Sequence, residues 1–458
     1  MNFVPSSHKR LLTRLTLLLH FVIATITLLA SRLPSFDSSA SLVLDHESLR
    51  SLLRWDVFHY AHIAEVGYVY EHEFAFFPGV PIIMRACGKL IRAAGVLTRG
   101  FEGAMLAGPV ASAVIAVDAV HTLYDLSLYH LQSPHAALLV SLLSLLSSSP
   151  ATLRYAPYAE PFFAYLSYKG MLRCAQEHFV QASILFALAS FFRSNGMMLA
   201  GYIMWGMLIR PLLYESVADF STLSRKFLLK AVSCILLSAL SIMPFVWHQY
   251  NGYVKFCIDI SEKHRPWCAW RLPFIYSFVQ SEYWGVGPFR YWTLQQAPNV
   301  LLGSPILILL IYGSLSHIRH VLLLQVFALV QRDTNYSVTR STSSAESKKD
   351  PFFNATLTPH AIHALISSLV LLTSAHTQIA LRLVSALPFT YWSAAWLFLR
   401  EPHTQDGDKR TNIAGQQNRN IRNGLKPRIS RAARLWLGWS ITWSMISLVT
   451  WGVFLPPA

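Results

Sequence analysis

The chain has 458 residues, 53% of them hydrophobic and 13% charged, with a formal net charge of +15. Soluble domains carry roughly 25% charged residues, so the composition excludes two or three soluble domains and points to an all-α polytopic membrane protein. The basic residues lie in short segments and form no continuous stripe, which excludes nucleic-acid binding and suits the cytoplasmic loops of a membrane protein.

The first apolar run, 11–30, follows His8-Lys9-Arg10. It exceeds the roughly 7–15 apolar residues of a cleaved signal core and leads into Ser31-Arg32-Leu33-Pro34, so it reads as a retained anchor with its basic end in the cytosol. A first luminal loop, 32–100, follows. It holds Arg54-Trp55-Asp56, the histidines His59, His62 and His72, the acids Glu65, Glu71 and Glu73, and Phe74-Ala75-Phe76-Phe77-Pro78. The stretch 76–97 is apolar but broken by Pro78, Pro81, Arg85 and Lys89, which predicts an interfacial segment and no separate span.

Spans are predicted at 104–124, at 135–149 up to Pro150, and, after the polar interruption Arg154 to Pro161, to about residue 172. The run 179–213 is longer than the roughly 20 residues that cross a bilayer. It divides at Arg193-Ser194-Asn195-Gly196, a turn signal. A span at 227–247 leads to a second large luminal loop, 248–298, dense in Trp, Tyr, Pro, Arg and His. Cys257 and Cys268 lie in that loop, where an oxidising lumen would let them pair.

A span at 299–315, a shorter apolar run at 321–330, a polar linker at 331–359, spans at 360–376 and 379–399, a basic segment at 401–434 and a last span at 435–454 complete the chain. The sequons at Asn335 and Asn354 favour a luminal linker. The eight Lys and Arg against three acids in 401–434 favour a cytosolic basic loop instead. The second consideration weighs more. It gives about eleven spans, a cytosolic linker and a luminal C-terminus.

With that topology the polar elements gather on one face, which predicts a luminal cavity. Asp56 is the candidate general base for an attacking hydroxyl, with Trp55 beside it as a shield from water. Glu65, Glu71 and Glu160 read as partners of Arg or His. His59, His62 and Glu65 have the spacing for a divalent cation, but three loosely spaced ligands make no metal motif, so none is expected. Two of Arg154, Arg193, Arg265, Arg290 and Arg382 are expected to clamp a lipid phosphate. Arg382 stands out because it lies one turn into an apolar helix, after His376 and Gln378.

These motifs together resemble the GPI mannosyltransferase 2 family. The resemblance rests on Arg54-Trp55-Asp56 with Gly67-Tyr68 and Phe76-Phe77-Pro78, on Tyr158-Ala159-Glu160, and on Arg193-Ser194-Asn195-Gly196. Arg265-Pro266-Trp267-Cys268, Trp284-Gly285-Val286-Gly287, Arg290-Tyr291-Trp292-Thr293 and His376-Thr377-Gln378 with Arg382 complete it, from about residue 10 to the end. Gly285 stands where the family pattern has Asn, and the segments 331–359 and 401–434 match nothing in it.

The resemblance implies a GT-C glycosyltransferase fold in the endoplasmic reticulum membrane, with a luminal active site. It implies α-1,6 transfer of a second mannose from dolichyl-phosphate-mannose to the GPI precursor that already carries one, with inversion, Asp56 as base and no cofactor. Arg382 and Arg193 are then expected at the donor phosphate, with His376, Gln378, Arg54, Trp55, Glu71, Glu160 and Arg154 as further substrate-binding residues. A small membrane-protein partner is also implied. A lipid-sugar flippase would instead place polar groups along a path through the bilayer, and a non-catalytic scaffold would tolerate loss of Asp56.

Overall fold

The computed structural model describes residues 3–95, 100–214, 220–258, 265–332, 350–400 and 430–455. These are helical with no strand among them, as a chain satisfying its own backbone in hydrocarbon must be. Among the described residues, six helices are long and apolar enough to cross a membrane: Pro5–Ala30, Glu102–Leu131, Ser194–Tyr214, Phe227–Ile258, Leu294–Val330 and Ala355–Ser374. Shorter helices such as Phe179–Ser190 run beside them, and the six do not by themselves establish the expected count of eleven.

Large apolar side chains face outward along the long helices, among them Phe21, Leu228, Ile235 and Leu301, as a lipid-facing surface requires. The interior is packed around the Pro388–Leu399 helix, whose Phe389, Trp392 and Trp396 are buried with Phe186 and Leu310. A second cluster joins Leu53, Val57 and Tyr60 to Tyr158 and Trp451, so the first loop is packed against the last helix.

Two local departures from the expected elements have simple causes. The run 321–330 is no separate element: it continues the helix that begins at Leu294 and ends at Val330. The stretch 379–399 is broken instead of continuous, with helices at Thr377–Val384 and Pro388–Leu399. Pro388, at the first turn of the second helix, has no N–H to continue the first.

Helix ends alternate between two poles. At one, Lys9 Nζ donates to Asp125 Oδ2 over 2.8 Å, Tyr129 donates to the Ala175 carbonyl, and Asn354 Nδ2 donates to the His130 carbonyl. The linker therefore re-enters the described structure at the pole that also holds the basic N-terminus. At the other pole, Gly452 lies so close to Ala30 that a Cβ would sit 2.5 Å from its methyl group. Gly108 admits Pro157 in the same way, which seats the 155–160 turn against the Gly100–Leu131 helix. The loops carrying Asp56, Glu160, Arg193 and His376 meet at this second pole.

Candidate active site

Asp56 opens the Asp56–Val66 helix, and the residue before it, Trp55, has φ 52° and ψ −121°. Positive φ in a bulky residue is costly and persists only where packing enforces it. Here the Trp55 ring meets Phe454 edge-on at 5.3 Å, and the Asp56 backbone N–H donates to the Tyr158 hydroxyl over 3.2 Å. The strained turn sets the carboxylate at the rim of a cavity of about 440 Å³, lined by Trp55, Tyr60, Phe76, Tyr158, Trp284 and Trp451 among others.

Two carboxylates and two guanidinium groups alternate along one wall. Arg382 Nη1 donates to Asp56 Oδ2 and its Nε to Glu160 Oε1, each over 2.7 Å. Arg193 Nη1 donates to the same Glu160 oxygen over 2.7 Å. The Arg382 guanidinium also lies over the Tyr158 ring, 4.6 Å from its centre. Glu160 is fully buried, whereas the Asp56 side chain keeps 28% of its surface accessible, so Asp56 is the acid that faces the cavity. Glu160 Oε2 has no hydrogen-bond partner among the described residues. Glu160 thus holds both arginines in place, and Asp56 is open to a substrate.

Burial, reinforced by the Asp56 and Glu160 charges, pushes the phenols of Tyr60 and Tyr158 above their ordinary range, so both stay neutral hydrogen-bonding groups. Burial lowers the His376 imidazole, which also lines the cavity and hydrogen-bonds Tyr291 over 2.7 Å.

Of the five candidate arginines, the structure brings Arg193 and Arg382 together. Arg154 is buried elsewhere, donating to the Ser144 carbonyl. Arg265 pairs with Glu71 over 2.9 Å, and the exposed Arg290 bonds Ser281. Three residues expected at the substrate have other work. Arg54 is buried under Phe454 and holds the carbonyls of Arg50 and Gly452. Glu71 accepts from Arg265, Trp267 and Tyr283, tying the first loop to the second. Arg154 lies off the cavity altogether. Each is a polar group that burial obliges to find partners inside the protein.

Gln378 falls in the Thr377–Val384 helix, but its side chain lies outside the described residues, as does Asn335. His59 stacks on Phe76, His62 pairs with Glu73 and Glu65 is exposed, so the spacing His59, His62, Glu65 assembles no ligand set. Cys257 and Cys268 form a disulfide with Cα atoms 5.7 Å apart. Gly285 has φ +60°, a left-handed conformation that Asn also adopts, so the departure from the family pattern costs the backbone nothing. Sequence reasoning did not assign Tyr158 or Trp451 to the site. Tyr158 stood next to the Ala159-Glu160 pair and was legible from it; Trp451 carries no local signal.

The sequence model of the family described as Mannosyltransferase (PIG-V) matches residues 7–458. A protein named GPI mannosyltransferase 2 from Cryptococcus neoformans is 31% identical, covering 94% of each chain. One named GPI alpha-1,6-mannosyltransferase 2 from Cricetulus griseus is 30% identical over 80% of this chain and 76% of its own. The human protein of that name is 29% identical over 76% and 73%. The archaeal oligosaccharyltransferase AglB of Archaeoglobus fulgidus aligns with 12% identity and a TM-score of 0.45. That alignment covers 96% of this chain and 56% of AglB.

Proposed function

This chain belongs to the PIG-V mannosyltransferase family, membrane enzymes of GPI-anchor synthesis, and from that premise we propose which mannose it transfers and how. The donor is dolichyl-phosphate-mannose, and the acceptor is the glucosaminyl-phosphatidylinositol that carries one mannose. The new linkage is α-1,6. The names of the relatives support this reading, and so does a cavity open beside a carboxylate and two arginines.

The observation that carries the mechanism is the alternating row Asp56, Arg382, Glu160, Arg193. The acceptor hydroxyl attacks the mannosyl anomeric carbon while the bond from that carbon to the phosphate oxygen breaks. Its proton passes to Asp56, and dolichyl phosphate leaves with one more negative charge than it had as a diester. Arg382 and Arg193 meet that charge, and their planar forks suit a phosphate. One base suffices for a single inverting displacement, and neither a metal nor a cofactor is needed. His376 and Trp55 shape the walls.

The cavity pole is read as luminal and the membrane as that of the endoplasmic reticulum. The Cys257–Cys268 disulfide supports an oxidising side, because Arg265 and Trp267 of its loop bind Glu71 next to the cavity wall. The test is transfer from dolichyl-phosphate-mannose to the one-mannose precursor in microsomes, comparing wild type with Asp56→Ala. Loss of transfer is expected. A normal rate in a well-expressed Asp56→Ala protein removes Asp56 as the base.

A further inference from the structure

We propose that a second basin, at the far end of the Asp56–Val66 helix, holds the phosphodiester of the lipid-linked acceptor through Arg85, Lys89 and Arg92. It rests on the acceptor reading above and assigns that acceptor a place to anchor.

The Gly79–Ala93 helix has three stripes. Val80, Met84 and Gly88 are buried, with Gly88 so close to the next helix that a Cβ would stand 2.9 Å from the Ala104 nitrogen. Ile82 and Leu90, 56% and 69% exposed, form an outward apolar stripe, as on a helix lying at a bilayer surface. Between the two run Arg85, Lys89 and Arg92, spaced i, i+4, i+7 on one face and exposed.

No carboxylate among the described residues pairs with these three cations. Arg85 is nevertheless fixed: its Nε donates to the Ala64 carbonyl over 2.6 Å and its Nη2 to the Ile63 carbonyl over 3.1 Å. Those carbonyls close the Asp56–Val66 helix, so the guanidinium is positioned at the negative end of that helix while no carboxylate takes up its charge. The three cations line a cavity of about 340 Å³, shared with the single acid Glu65. Arg85 and Lys89 also border an adjoining hollow of about 360 Å³, walled by Ile63, Tyr68, Pro78 and Pro81. A polar basin and an apolar one that meet at two cations suit an amphiphile whose charge lies where its headgroup joins its tails.

The distance to the reacting end also suits this acceptor. Ile63 and Gly67, which wall the apolar hollow, follow Asp56 at i+7 and i+11 on one face of the helix, while Ala61, Ala64 and Glu65, which line the polar basin, stand on the adjacent face. The Ile63 and Ala64 carbonyls that hold Arg85 stand about 10–12 Å along the axis from Asp56, at 1.5 Å per residue. Three linked six-membered rings cover such a span. In the proposed acceptor, three rings (mannose, glucosamine, inositol) separate the attacking hydroxyl from the phosphate. The competing account is three cations snorkelling to ordinary headgroups.

The test uses purified full-length protein and two acceptors: mannosyl-glucosaminyl-phosphatidylinositol, and the same glycan on an alkyl chain without phosphate. Arg85 is left intact because it caps a helix, and the variant is Lys89→Gln with Arg92→Gln. The KM for the phosphate-bearing acceptor is expected to rise roughly tenfold. Turnover and the donor KM should stay within about twofold. The KM for the phosphate-free acceptor should not move, Arg92→Lys should restore most of the loss, and Arg290→Gln should have no effect.

An equal change for both acceptors, or none for either, overturns the proposal. So does an effect that disappears in phospholipid-free detergent, which assigns the basin to bulk lipid. Absence of any mannosyl transfer by wild type defeats the reading of the activity instead. In that case, retention of the phosphate-bearing acceptor in native mass spectrometry, wild type against variant, reads the basin by itself.

Discussion

Arg382 Nη1 stands 2.7 Å from Asp56 Oδ2, joining residues 326 positions apart in the sequence. The pair carries the proposed division of labour, because Arg382 also reaches Glu160 and can keep one carboxylate when a phosphate draws it from the other. Asp56→Asn preserves the shape and removes the proton acceptor. Turnover should fall by roughly 10²–10⁴, with protein level and thermal unfolding close to wild type. A rate within about tenfold of wild type contradicts the assignment.

Replacing Arg382 with Lys keeps a positive charge but loses the planar fork that spans two acids. The donor KM should rise and turnover drop together, by roughly tenfold or more, and Arg193→Gln should act in the same direction. Initial rates at varied dolichyl-phosphate-mannose check this. If only the acceptor KM responds, these arginines do not hold the donor phosphate.

Glu160 is fully buried and accepts from both arginines. Glu160→Gln leaves two cations facing a neutral amide, and breaking a buried ion network costs about 3–5 kcal/mol. The expected result is a lower unfolding temperature in detergent as well as lost activity. Asp56→Asn should lose activity alone. A Glu160→Gln protein as stable as wild type shows that the row is not held from this residue.

The disulfide Cys257–Cys268 closes a short loop, with a sequence separation of 11. Its loss should cost about 2–3 kcal/mol in the chain-entropy account. Peptide mapping after alkylation without reductant should recover the linked peptides from wild type. Free thiols at both positions in native protein argue against an oxidising side.

Asn354 donates from Nδ2 to the His130 carbonyl over 2.8 Å and accepts from the Thr356 N–H over 3.1 Å, at the pole away from the cavity. No glycan is expected there, nor at Asn335, so neither Asn→Gln change should alter gel mobility, and glycosidase treatment should not shift the wild type. Occupied Asn354 reverses the proposed orientation of the protein.

The sequence by itself determined the class and where a candidate site would be sought. A 13% charged chain with apolar runs of helix length can satisfy its backbone in a bilayer only as helices. The clustering of Arg54, Trp55 and Asp56 with aromatic residues marked the first loop, since charge beside hydrocarbon is too costly to be incidental. Composition also set the interrupted stretch 76–97 apart from the spans, where the structure has the Gly79–Ala93 helix, and marked the Asn195-Gly196 break.

Only the tertiary structure decided which charges meet. Arg154, Arg193, Arg265, Arg290 and Arg382 look alike in sequence, because spacing governs contacts within a helix and is silent between helices. Packing put Arg193 and Arg382 on Glu160, sent Arg265 to Glu71 and buried Arg154 under a backbone carbonyl. The same holds for Arg54 and Glu71, whose neighbours in the motif face the cavity while they themselves hold loops together. The strained φ of Trp55 belongs to this second kind of information. It exists because Phe454 and Tyr158, far along the chain, fix where that ring and the next backbone N–H must lie.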